Sequence, residues 1–369
     1  MPAKPDLNLR RVGDPKIGSK TGPRVLVIAP GDVESPHSGN VEFARSLAQI
    51  CLRGFQTDIF YFKGHSMLRT SGRNYLHFPS WIVRLSSALL SFDGVVVVVH
   101  NSRITTWTCL TRRIFRKKYH VVAALDNLSK GGKKIGRLSE SVALLLSLHL
   151  VDAIFYNPFS VRSEKLVTFQ HPLLRFPGAL VDAEEMYYST ESGKRTRQLL
   201  GIGHTAKVVG IIGPYHRFNA SSLKYLKNNL PSFNRDIIFL IIGECPSSLR
   251  FKDDRVIFAG RVERFSDGLS ACDVVLIPRF VSYGSPMNKM IHAMAIERPV
   301  VTNSFENLPI QSGVEAVKGE LEQLPSLVNS LFDDPTQRSE MGKRARRFVI
   351  ENFSVQTLEG RLNSFIKNY

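Results

Sequence analysis

The sequence predicts an α/β protein of two Rossmann-like domains facing across a cleft, and three observations carry that expectation. Short β-branched runs alternate with amphipathic stretches from Arg24 onward, the pattern of parallel βαβ units with helices on both sheet faces. The alternation occurs as two series, separated by a polar stretch from Ser189 to His204 that carries Glu191, Gly193, Lys194 and Arg195 and resembles an exposed connection. The length of 369 residues is long for one core and comfortable for two.

Taken in order, residues 1–23 are rich in Pro, Lys, Arg and Gly with little apolar periodicity and read as a mobile, disordered basic tail. Strands follow at VLVIA (25–29), DIFYF (58–62), VVVVV (95–99), VVAAL (121–125) and AIFYN (153–157). Helical patterns lie between them, near 40–53, 82–92, 105–118 and 138–150. The second series places strands at VVGII (208–212), IIFLII (237–242), VIFAG (256–260), VVLIP (274–278) and PVVTN (299–303). After Glu320 only helical patterns remain. The expected domains are therefore 24–190 and 205–352, with a terminal helix at 353–369 suited to packing back onto the first.

Hydrophobic content of 43% and charged content of 22% are those of a globular chain. The net charge of +17 implies a polyanionic neighbour: a phosphate-bearing substrate, nucleic acid or an anionic membrane surface. Nucleic acid is disfavoured, because no zinc spacing, aromatic RNA-binding motif or helix-turn-helix signature accompanies the charge. A basic chain with no specific partner accounts for it equally well. Cys51, Cys109, Cys245 and Cys272 lie far apart with no CxxC pairing, which argues against a zinc site or disulfide scaffold and for a reducing, cytoplasmic setting. No apolar run reaches the ~18 to 20 residues needed to span a bilayer, and the tail lacks the apolar core of a signal peptide.

Candidate chemistry gathers where strands end. In the first domain, strand 25–29 runs into PGDVESPHSGN, where Ser38, Gly39 and Asn40 suit either a phosphate-facing helix start or a simple capped turn. His37 beside them is placed to contact an acceptor hydroxyl or solvent. In the second domain, Gly213, Pro214, Tyr215, His216 and Arg217 follow the first strand, and Gly260 and Arg261 follow another. A cation at such a position neutralises a departing diphosphate without a metal, although a lone Arg is as often a surface residue. Pro278 and Arg279 close the next strand. The segment YGSPMNKMIHAMAIERPVV (283–301) then joins a small-residue loop with Gly284 and Ser285 to a helix pattern carrying Lys289 and His292 on one face. Lys289 near a helix start suits phosphate, and a neutral His292 can hydrogen-bond a ribose hydroxyl or fill the core.

These motifs carry a resemblance. NKMIHAMAIERPVV resembles the NK-x-LEAMA-x-G-x-PVV element of GT-B glycosyltransferases of family 4 (glycosyl transferases group 1), which transfer sugar from a nucleotide donor with retention. PHSGNVEFARSLA, FPGALVD, GIIGPYHRFN and ACDVVLIPR resemble, in order, the family's glycine-loop helix, interdomain element, donor-domain opening and ADV-x-x-x-P strand. The resemblance implies an N-terminal acceptor domain, a C-terminal donor domain, no cofactor and no metal, with a nucleotide-sugar as substrate. It implies that Arg217 and Lys289 stabilise the departing diphosphate. Gly39, Gly213, Arg261, Gly284, Ser285 and His292 would line the donor site, with His37 and Asn40 toward the acceptor. Attack on the front face, assisted by the leaving phosphate, follows from the same resemblance.

The chain departs from the pattern at both glutamates of the family's E-x7-E element, which are Gly284 and His292 here. The family's frequent Gly-Arg after the first donor strand is Gly213-Pro214, leaving Arg217 as the nearest cation. These departures keep a second reading open, a catalytically degenerate nucleotide- or glycan-binding partner subunit. An oxidoreductase is a distant third, because no GxGxxG follows the first strand.

Finally, WIVRLSSALLSF (81–92) and TTWTCLTRRIFRKKYH (105–120) mix aromatic and aliphatic residues with basic ones. Arg112, Arg113, Arg116, Lys117 and Lys118 lie close to Trp107 and Phe115, and Lys130, Lys133, Lys134 and Arg137 extend the positive region. Such a helix suits peripheral binding to the anionic inner face of a membrane and a glycan or lipid-linked acceptor. An ordinary helix with a solvated basic face has the same composition.

Overall fold

A computed structural model describes residues 7–11, 23–29, 47–48, 50–51, 55–62, 78–99, 102–125, 144–157, 170–177, 180–213, 220–262, 264–280, 288–305 and 307–368. The chain divides into two compact units, Met1–Leu180 with Val355–Tyr369, and Val181–Ser354.

The first unit is built on a seven-stranded sheet. Its strands are β1 (Leu7–Arg11), β2 (Val25–Ala29), β3 (Thr57–Phe62), β4 (Val95–Val99), β5 (His120–Leu125), β6 (Ala153–Tyr156) and β7 (Leu173–Arg175), in the order β1-β3-β2-β4-β5-β6-β7. Every pairing is parallel except β1 on β3. β2 and β4 are buried at every position, as all-apolar strands covered on both faces must be. One face packs under α1 (Phe78–Leu90) and α2 (Ser102–Ile114), through Leu85, Leu89, Ile104 and Cys109. The other packs under helical residues 47–48 and 50–51 and the terminal helix Val355–Ile366, which contributes Val355, Leu358, Leu362 and Ile366.

The second unit is a six-stranded parallel sheet of β8 (Lys207–Ile212), β9 (Ile237–Ile242), β10 (Val256–Gly260), β11 (Val274–Ile277), β12 (Val300–Thr302) and β13 (Val317–Lys318), in the order β10-β9-β8-β11-β12-β13. Its helices are α3 (Thr190–Leu199), α4 (Ala220–Asn229), α5 (Phe265–Ser270), α6 (Asn288–Ala295), α7 (Leu324–Asp333) and α8 (Pro335–Phe353). The terminal helix is α9 (Val355–Ile366).

Two sequence expectations are corrected. The tail 1–23 is not wholly without structure, because Leu7–Arg11 adds an antiparallel edge strand to β3. An edge strand pairs on one side only, so the alternation needed to specify it is weak. The polar stretch 189–204 is not an exposed connection, and the first domain does not run to residue 190. Within this stretch α3 belongs to the second unit, where its buried positions are Gly193 and Arg197 rather than aliphatic residues. Gly193 lies so close to Ser270 that a Cβ would fall 2.5 Å from the Ser270 carbonyl oxygen. Arg197 donates to the carbonyls of Ala271, His204 and Ala206 and pairs with Asp273 at 3.0 Å. A helix whose inner face is a glycine and a fully bonded arginine has no apolar stripe to read.

Candidate donor site

All strands of the second sheet are parallel, so their carboxyl ends share one edge. The chain lays β9 on one side of β8 and β11 on the other, so the gap between β8 and β11 is the topological switch point. Connections leave in opposite directions there and open a crevice for ligands.

Four groups meet at this point. Gly213 follows β8, is buried, and donates its N–H to the Ile242 carbonyl at 3.0 Å, which prolongs the β8–β9 pairing. Lys289, in the first turn of α6, donates from Nζ to the Ile212 carbonyl at the end of β8 at 3.3 Å. Arg279, two residues beyond β11, is buried. Asn303, past β12, accepts from the Arg279 N–H at 2.7 Å and donates from Nδ2 to the Arg279 carbonyl at 2.9 Å, fixing the main chain where β11 leaves the sheet.

α6 takes its position from its apolar side: Met290, Ile291, Ala293, Met294 and Ala295 are buried, while Asn288, Lys289 and His292 are half-buried. Burial, and then the charge of Arg279, lower the Lys289 pKa from 10.5 to about 8. A neighbouring anion would act in the opposite sense, favouring the charged lysine.

The remaining predicted residues fall in three groups. His292 packs its ring edge-on against Phe265 at the start of α5, with centroids 5.6 Å apart. Arg261 is exposed and follows Gly260, whose φ of +67° suits a residue without a side chain. The strand that Arg261 follows, β10, is separated by β9 from β8, whose end accepts from Lys289. His37, Gly39, Asn40, Arg217, Gly284 and Ser285 lie outside the described residues.

Sequence reasoning gave no role to Arg279 or Asn303. Their signal was weak but present: each stands just past an apolar strand in the same parallel series. Among the described residues, no group of three or more His, Cys, Asp or Glu is placed to hold a metal ion. The four cysteines are free and buried.

The segment containing this site, residues 206–331, matches the family model described as glycosyl transferases group 1. Over that segment the chain is similar to a glycosyl transferases group 1 domain. The whole chain is similar in fold to solved glycosyltransferase structures of GT-B type. HepE from Anabaena, solved in complex with UDP, superposes with a TM-score of 0.70 at 14% identity, over 94% of this chain and 100% of that one. A glycosyltransferase from Rickettsia africae gives 0.71 at 12% identity, over 94% and 98%. The lipopolysaccharide outer core galactosyltransferase WaaB gives 0.60 at 12% identity, over 93% and 99%. At such identities the likeness is one of fold. No sequence among curated proteins matches the chain.

The first unit's basic helix is also corrected in detail. Arg112 is not a surface cation: its guanidinium pairs with Asp152 and donates to the carbonyls of Tyr119 and Leu150. Trp107 is half-buried and donates from Nε1 to Ser86 Oγ at 3.1 Å, joining α2 to α1. Exposed in the same region are Ile114 at 65% and Phe115 at 52%, together with Arg113, Arg116 and Lys118. Lys130, Lys133, Lys134 and Arg137 lie outside the described residues. Among the described residues, no helix is long and apolar enough to cross a membrane.

Proposed function

We propose that this protein moves a sugar, with retention and without a metal, from a nucleotide-sugar donor to a glycan or lipid-linked acceptor. The observation that carries the reading is Lys289, a largely desolvated cation at the switch point of a domain similar to glycosyl transferases group 1. An ammonium there stabilises charge that develops on a departing diphosphate, in surroundings where each charge acts more strongly than in water. HepE, which shares the fold, was solved with UDP-glucose, so UDP-sugars head the donor candidates. Arg217 is the second candidate for the leaving group and Gly39 a further donor-binding candidate; both lie outside the described residues.

The test combines binding with turnover. UDP-, GDP-, ADP- and CMP-sugars are screened by thermal shift, and hydrolysis or transfer of the stabilising donor is followed in wild type and Lys289→Ala. The expected result is one preferred nucleotide and a loss of about 100-fold or more in turnover in the variant. An unchanged rate in Lys289→Ala would remove it from the site.

The degenerate-subunit reading keeps one structural support, the packing of His292 on Phe265, which suits a core histidine better than a ribose ligand. Stabilisation by a nucleotide with no donor consumed, even with extracted lipids present, would decide for it.

For the acceptor side, we place the protein at the cytoplasmic face of an anionic membrane. Exposed Ile114 and Phe115 beside Arg113, Arg116 and Lys118 support this, each well-placed cation adding about 1 kcal/mol at such a surface. Flotation with anionic vesicles at low salt should exceed that with neutral vesicles and drop in Ile114→Ser/Phe115→Ser. Equal recovery with both vesicle types would refute the surface.

A further inference from the structure

We propose that the second unit carries a phosphate site at the opposite edge of its sheet from the donor crevice: a cavity of about 240 Å³ where Arg338 and Lys207 hold inorganic phosphate or the phosphate group of a small monoester. This site does not depend on the donor reading, because a full strand separates the two. Lys207 opens β8, whereas the Ile212 carbonyl reached by Lys289 closes it.

Arg197 comes to the cavity from α3, Thr205 and Lys207 from the run into β8, Asp273 from just before β11, and Phe332 and Arg338 from α7 and α8. Arg197 and Asp273 build the wall and are occupied in doing so. The Arg197 guanidinium donates to three carbonyls and, from Nη2 at 3.0 Å, to Asp273 Oδ2, which also accepts from the Val208 N–H at 2.8 Å. The carboxylate that lines the cavity is thus matched by an arginine. Two of those carbonyls belong to His204 and Ala206, so the same guanidinium fixes the main chain on either side of the exposed Thr205.

Arg338 and Lys207 are set at the cavity by one ring. The Arg338 guanidinium carbon lies 5.1 Å and the Lys207 ammonium 5.8 Å from the Phe332 centroid. Arg338 uses Nη1 on the Leu331 carbonyl at 3.1 Å and pairs with no carboxylate among the described residues. A guanidinium has five N–H donors in a planar fork, so donors remain for two phosphate oxygens. Lys207 pairs with Asp236 at 2.9 Å, but that carboxylate is 58% exposed. A pair so open to solvent is worth little and does not prevent the ammonium from meeting a dianion. The Thr205 hydroxyl adds a neutral donor. The volume falls below the roughly 300 Å³ at which drug-sized sites begin, which fits a small phosphate rather than a nucleotide. Two cations match a dianion, whereas a simple carboxylate answers only one of them.

The probes are inorganic phosphate and glycerol phosphate. Their Kd values are measured by phosphorus NMR line broadening at constant ionic strength on the full chain, in wild type, Arg338→Gln and Lys207→Met, with UDP affinity measured alongside by calorimetry. Saturable binding should weaken by about tenfold or more in Arg338→Gln and by several-fold in Lys207→Met, with UDP affinity unchanged in both. A merely structural role would lower thermal stability without separating phosphate from UDP. Tighter binding of glycerol phosphate identifies a monoester as the ligand, and tighter binding of phosphate identifies the free ion.

Absence of saturable binding of either probe overturns the proposal, as does unchanged phosphate affinity in Arg338→Gln. If that variant shows no cooperative melt, unchanged affinity in Lys207→Met does so instead. Displacement of phosphate by UDP in the wild type, or an equal loss of phosphate and UDP affinity in the variants, also overturns it, because the phosphate then lies in the donor crevice. Phosphate binding that is lost on substitution while no nucleotide-sugar binds keeps this site and removes the donor reading.

Discussion

At the scale of single residues, Lys289 couples stability to binding. The unfolded chain keeps this lysine protonated up to its ordinary value of 10.5, while the folded protein gives up the proton near 8. Between those values the unfolded chain binds more protons, so the lysine's contribution makes stability rise with pH through the window from 8 to 10.5; below 8 the penalty is constant. Lys289→Met should therefore be more stable than wild type at pH 7, by on the order of 1 kcal/mol given partial solvent access, and the gain should vanish toward pH 10.5. Urea denaturation at pH 7 and pH 10 measures it, and a variant less stable at pH 7 would contradict the assignment. The lysine itself was legible in the sequence, because it stands in a motif and near a helix start. Its partner Arg279 was not, because nothing local distinguishes an arginine that turns inward after a strand from one that turns to solvent.

At the scale of elements, α6 and α8 are joined by main-chain contacts that residue type alone conceals. Two residues past the end of α6, Glu297 holds φ +56° at the position where the resembled motif carries glycine. Gly342 of α8 passes directly over it, so that a Cβ there would fall on the Glu297 carbonyl oxygen. Arg346 of the same helix donates to the Ala295 carbonyl and, at 2.8 Å, to that of Met186. Gly342→Ala must push α8 away from this turn and should cost about 1–3 kcal/mol, read as a lower urea midpoint at unchanged slope. An unaltered midpoint would show that the helices can part without loss. β-branched runs made most strands of the two central series readable to within a residue or two, whereas α3 was missed because its buried side is Gly193 and Arg197.

At the scale of the whole molecule, the chain leaves the first unit at Leu180 and returns to it at Val355. The α9 helix then completes the first unit's core, with Leu362 fully buried and Phe365 edge-on to Phe155 at 5.3 Å. Truncation after Ser354 should expose the face of β2 and β4 and make the first unit protease-sensitive, while the second keeps its cooperative melt. Leu362→Ala is the milder test, expected to cost about 2–5 kcal/mol and to shift only the first unit's transition in calorimetry. Equal shifts of both units would mean that the terminal helix serves them together.

What the sequence by itself determined is the local part: the repeated strand pattern, the two-series organisation and the motif around Lys289. Those follow from periodicity and residue chemistry within a few residues of one another. Only the tertiary structure decided that β8 and β11 are neighbours across a switch point, and that Arg279 and Lys289, ten residues apart in sequence, bear on one another there. Strand order arises from how helices cover both faces of a sheet, a property of the packed whole that no local propensity encodes.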